Sequence, residues 1–139
     1  MPVLESVVAS VVSETSSKMS DPQFTQVAVG HFVQSQPDLA SYLSSRGPKI
    51  GGAQGVLEVA FHAELLSECL RQSSGRGDLP RVPFRLLERA SKGDAQAEFT
   101  AAEPALASYV ASNVERQVIR VELCRIGLAL TFALGASAR

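Results

Sequence analysis

Residues 36–46 read QPDLASYLSSR, and residues 103–113 read EPALASYVASN. Pro, Leu, Ala, Ser, Tyr and a second Ser recur in the same columns. The chain's only two tyrosines, Tyr42 and Tyr109, fall in equivalent places. Each copy is followed by a long apolar stretch, GVLEVAFHAELLSECL after the first and QVIRVELCRIGLALTF after the second. Two readings compete. The echo marks two related helical halves around one core, or it marks two ordinary helix starts, each with Pro at the first helical position, where its missing N–H costs nothing. The Pro-to-Pro spacing differs from the spacing of the following apolar helices. Two copies also fall short of the three or more repeats of a solenoid.

Outward from the echo, helical periodicity runs the length of the chain. Val3, Leu4, Val7, Val8, Val11 and Val12 form an apolar stripe opposite Glu5 and Glu14. Asp21-Pro22 reads as a cap and first-turn proline opening a helix through Phe24, Val27, Ala28, His31 and Phe32. A third helix, Pro37 to Arg46, is expected to stop at Gly47-Pro48. The helix from about Gln54 to Gln72 is apolar over most of its circumference, with Glu64, Glu68 and Arg71 as its solvent stripe. After a polar loop at 73–83 come a short helix from Phe84 to Lys92 and an Asp94-capped helix to Ala102. Thr100 and Glu103 are spaced as a capping box for a restart at Pro104, and the pattern then runs to about Leu134, with a break near Asn113. No run alternates as a strand does between hairpin turns. The expectation is an all-α protein, a compact single-domain helical bundle of six or seven helices over residues 1–139, built of two related halves if the echo is real.

Composition narrows the function classes. The 139 residues are 45% hydrophobic with a net charge of −1, so there is enough apolar material for a core and no bulk field for nucleic acid or an anionic membrane. The N-terminal stretch lacks a basic leader, and the uncharged run Ile126 to Ala138 is too short to span a bilayer. Cys69 and Cys124 lie in apolar helical runs and read as reduced, buried thiols, pointing to the cytoplasm.

Candidate chemistry is sparse. Glu58 and His62 stand four apart on one helix face, and His31 lies on the apolar side of its own helix. Converging from two helices, they could hold a metal or small ligand, as bundle sites do; otherwise each is a semi-buried residue satisfied locally. The glycine-rich run 47–55 has Ala53 and Gln54 where a phosphate loop needs Lys and Ser or Thr, so it reads as a connection. Arg71, Arg76, Arg81, Arg85 and Arg89 gather positive charge around the second long loop and the short helix, either a solvated face or a surface for a protein partner. No strand-turn-helix framework supports a nucleophile. IGLALTFAL, apolar on every side, must be inserted centrally or covered by another chain, making Leu128 and Phe132 candidate assembly residues. The expected function is a non-enzymatic cytoplasmic interaction protein, an adaptor or regulatory subunit that self-associates or docks a protein partner, without cofactor, nucleic acid or membrane. The alternative is a metal- or small-ligand-binding bundle around His31, Glu58 and His62.

Overall fold

The computed structural model describes residues 2–137. They form eight helices: α1 (Glu5–Lys18), α2 (Phe24–Ser35), α3 (Pro37–Ile50), α4 (Gly52–Ser74), α5 (Phe84–Ser91), α6 (Ala95–Ala102), α7 (Pro104–Asn113) and α8 (Gln117–Ser137). The all-α expectation holds, with eight helices in place of six or seven. The helix beginning at Pro104 divides at Val114, which is buried and extended (φ −122°, ψ 119°). Arg120 secures the break by donating to the carbonyls of Val114 and Ala111 at the end of α7. Neither Gly nor Pro marks the spot.

The echoed segments occupy the same joint twice. Gln36 and Glu103, one residue before each proline, have nearly the same backbone (φ −131°, ψ 69° and φ −138°, ψ 72°). Each N–H bonds back to a phenylalanine carbonyl four residues earlier, Phe32 at 2.9 Å and Phe99 at 2.7 Å. Both phenylalanines are fully buried, as are Leu39 and Leu106. Packing repeats as well. In the first quartet α1, α2 and α3 pack on α4; in the second α5, α6 and α7 pack on α8. The long helices α4 and α8 meet at the centre, and α1 touches α7 as α5 touches α3. The mismatched spacing has a simple source: α3 has 14 residues and α7 has 10.

Reciprocal polar contacts tie the quartets together. Gln36 accepts from the N–H of Val82 at 2.9 Å and donates to the carbonyl of Pro80 at 3.0 Å. Glu103 accepts from the N–H of Val3 at 2.7 Å. Val82 and Val3 each lie two residues before the first helix of a quartet, so each half's joint grips the other half's entrance. The tyrosines cross in the same sense. Tyr42 on α3 donates to Glu122 on α8 at 2.5 Å, and Tyr109 on α7 shares a 2.7 Å hydrogen bond with His62 on α4.

Three local expectations are corrected. Gly47-Pro48 does not stop α3, which runs on to Ile50; Gly47 lacks the Cβ that a following proline would crowd, and Gly51 in the left-handed region (φ 103°) makes the true stop. The capping box is absent, since Glu103 spends its carboxylate on Val3 and Thr100 bonds the carbonyl of Gln96. Glu64 and Arg71 are not on a solvent stripe: Glu64 is buried, and the Arg71 side chain is 12% exposed.

α8 is inserted in its own fold. Leu128 is 2% exposed, with Ile126, Ala129 and Leu130 equally covered by α4, α5, α6 and α7. Gly127 gives α6 room to pack, because a Cβ there would stand 2.6 Å from the buried Phe99 ring. Gly127→Ala is therefore expected to cost about 1–3 kcal/mol in chemical denaturation. Gly30→Ala, where a Cβ meets nothing within 4 Å, is expected to gain up to about 1 kcal/mol from helix propensity. Equal effects from the two changes would contradict this packing.

Candidate functional site

The three candidate ligands His31, Glu58 and His62 are held apart by separate partners. His31 on α2 pairs through Nδ1 with Glu64 of α4 at 2.8 Å. His62 turns to Tyr109, its ring stacked obliquely at 5.8 Å between centroids. Glu58 faces Arg116 at 4.0 Å. Among the described residues no group of three or more His, Cys, Asp or Glu side chains could hold a metal ion. The partner of His31 was hidden in the sequence because Glu64 and Arg71, seven apart, look like a solvent stripe. With so wide an apolar arc on α4, the covering helices bury part of that stripe too.

Several other ionisable groups are buried in the core. Glu122, 1% exposed, accepts from Tyr42, from Arg46 at 3.0 Å and from Arg125 at 2.9 Å, so its buried charge is fully matched. Burial, helped by Glu122, raises the Tyr42 phenol above its ordinary value, and burial raises Tyr109 as well. Both thiols are free, Cys69 pushed by burial up to about 12 and Cys124 to about 11, which leaves them protonated and unreactive. Such groups offer no activated nucleophile.

The arginines differ in their surroundings. Arg71 is spent on Glu64 and Glu68 at 2.6 and 2.7 Å. Arg76 donates to the Asp78 carbonyl at 3.3 Å. Arg81 and Arg85 are exposed, and Arg89 lies over the half-buried Phe132 ring at 4.0 Å from its centroid. That cation–π contact joins two residues expected to serve a partner, but within one chain.

The least satisfied surface is α2. Its twelve residues, FTQVAVGHFVQS, contain no acid, lysine or arginine, and only Phe32 is fully buried. Val27 is 67% exposed and Val33 44%. Beside it, between α2, α3 and α4, runs a groove of about 430 Å³ lined by Val29, Val33, Ala40, Val56 and Leu57, among others, with no charged residue on its walls. Leu57 stands 48% exposed at its edge. The sequence carried this signal as an absence of charge on a helix expected to be amphipathic.

Among the described residues no helix is long and apolar enough to cross a membrane. Comparison with protein-family models, with curated proteins and with solved structures finds no match to this chain.

The His62 imidazole sits below its ordinary value of about 6.5 because burial disfavours the charged ring, with Glu58 partly opposing. A lowered folded-state value means the unfolded chain takes the proton more readily. The stability this provides is present above the unfolded value and is lost as pH falls through the folded one. His62→Gln keeps an amide within reach of Tyr109 but cannot titrate. Its stability deficit relative to the parent, measured by denaturation, is expected to shrink as pH falls below about 6.5; a deficit constant with pH would contradict the assignment.

Proposed function

We propose that the protein is a non-enzymatic interaction module of the cytoplasm, an adaptor or regulatory subunit, and that it self-associates through α2 and the groove beside it. The observation that carries this reading is a twelve-residue helix without acid, lysine or arginine and with one fully buried side chain. A solvated helix face is ordinarily charged. An apolar patch of this kind, framed by polar residues, is the common mark of a protein-binding surface.

The occupant is a second copy. In a two-fold dimer the same patch faces itself, so walls carrying one sign of charge would oppose like to like. The groove lacks that penalty, its walls being uncharged. α2 of one protomer, with Val33 at its edge, offers an apolar ridge to the groove of the other. In this reading Val33 and Leu57 take the place of the assembly residues expected at Leu128 and Phe132, which α8 packs against its own core. The reading of the two quartets as copies of one ancestral unit belongs to the same proposal, supported by the matching joints at Gln36 and Glu103. Buried thiols that stay reduced fit the cytoplasm.

Sedimentation equilibrium tests this directly. The parent protein is expected to dimerise, and the double variant Val33→Glu/Leu57→Glu to be monomeric yet folded with the parent's helicity, since both side chains are exposed. A parent that stays monomeric at high concentration, or a double variant that dimerises as tightly as the parent, would overturn the proposal.

A further inference from the structure

We propose that a second cleft, on the opposite side of α2 and walled by α1, α2 and α4, binds a primary ammonium carried on an apolar, preferably aromatic, stem. The cleft has a volume of about 330 Å³, within the range of small-molecule sites. Phe24, Val27, Phe61 and Leu65 give it an apolar wall, with the two phenylalanine rings edge to face at 6.4 Å.

Its polar end is Glu64, a residue 8% exposed. Oε1 is occupied twice, by His31 at 2.8 Å and by Arg71 at 2.6 Å. Oε2 is buried and has no hydrogen-bond partner in the protein. A buried carboxylate oxygen without a donor is costly and is matched in most folded proteins. Glu64 lines the cleft, so a ligand bound there can bring the missing donor.

The sign of the ligand follows from the whole cleft. α1 brings Glu14 and Lys18, α2 brings His31, and α4 brings Glu64, Glu68 and Arg71. Three carboxylates thus face two fixed cations, and one of those, Arg71, is already shared between Glu64 and Glu68. An anion would meet uncompensated carboxylate. A cation completes Glu64, and the aromatic wall favours it further. Lys18 shows the preference at the mouth, its Nζ 5.9 Å from the centroid of Phe24. A metal ion lacks the ligand set among the described residues. What fits is a nitrogen cation that donates to one carboxylate oxygen while its stem lies along Phe24, Phe61 and Leu65.

A free amine and a lysine of another polypeptide share this chemistry, and the test separates them. Resonances of the ¹⁵N-labelled protein are followed while 2-phenylethylamine, 3-phenylpropionate or N-acetyl-lysine amide is added. The amine is expected to shift α1, α2 and α4 signals saturably, and the carboxylate to leave them in place. Tighter binding of the lysine amide than of phenylethylamine would keep the ammonium site and assign it to a polypeptide. Glu64→Gln is expected to weaken amine binding by about tenfold or more. Ala28→Leu, which fills the cleft from α2 and leaves the Glu64 cluster whole, is expected to block it and decides the matter if Glu64→Gln disturbs the fold. No saturable shift in the parent, carboxylate binding as tight as the amine's, or undiminished binding to both variants would overturn the proposal. Val33→Glu lies in the other groove and is expected to leave amine binding unchanged, so this site and self-association stand or fall separately.

Discussion

Two buried side chains, Gln36 and Glu103, hold the molecule in its arrangement. Each sits at the bend between a helix with a buried phenylalanine in its last turn, Phe32 or Phe99, and a helix beginning with proline. The side chain crosses to the other half and satisfies the N–H of a valine that no helix pairs. Val3 and Val82 are buried at 4% and 1% exposure, so an unmatched amide at either would carry the desolvation cost of a lost hydrogen bond, about 1–3 kcal/mol. The joint therefore orients its own quartet and, through the clasp, positions the first helix of the other. The crossed tyrosine bonds to Glu122 and His62 extend the same reciprocity toward the central helices.

The halves differ where function is proposed. In the second quartet α5 and α6 are eight residues each, and the exposed side of α6 carries Ala97, Glu98, Thr100 and Ala101, small or polar residues suited to water. In the first, α1 and α2 have 14 and 12 residues, and α2 stands over α4 with an uncharged exterior. The apolar groove lies on one side of it and the Glu64 cleft on the other. Both surfaces thus lie along the longer helices of the first quartet.

Helix class and most helix starts were legible because they rest on local signals: apolar spacing, prolines at first positions, and Asp94, whose carboxylate does cap α6 by accepting from Ala97. The buried, free thiols were legible for the same reason. What escaped depends on tertiary packing. The break expected near Asn113 does fall there, but what holds it, the burial of Val114 and Arg120 reaching back to its carbonyl, is tertiary and has no local signal. Glu64 and Arg71 look solvated on a helical wheel and become interior only once α1 and α2 cover that side of α4. Glu103 could be read as an ordinary cap, because its partner Val3 lies a hundred residues away. His31 and His62 were read as converging, yet each found its own partner, Glu64 and Tyr109, because spacing within a chain says nothing of which neighbour lies across it.

Native-state amide hydrogen exchange at Val3 and Val82 tests the clasp most directly. Neither amide belongs to a helix. If Gln36 and Glu103 hold the halves together, both amides exchange only through global unfolding, as slowly as the central amides of α4 and α8. Exchange at the rate of an open loop at either valine, with α4 and α8 still protected, would contradict the account.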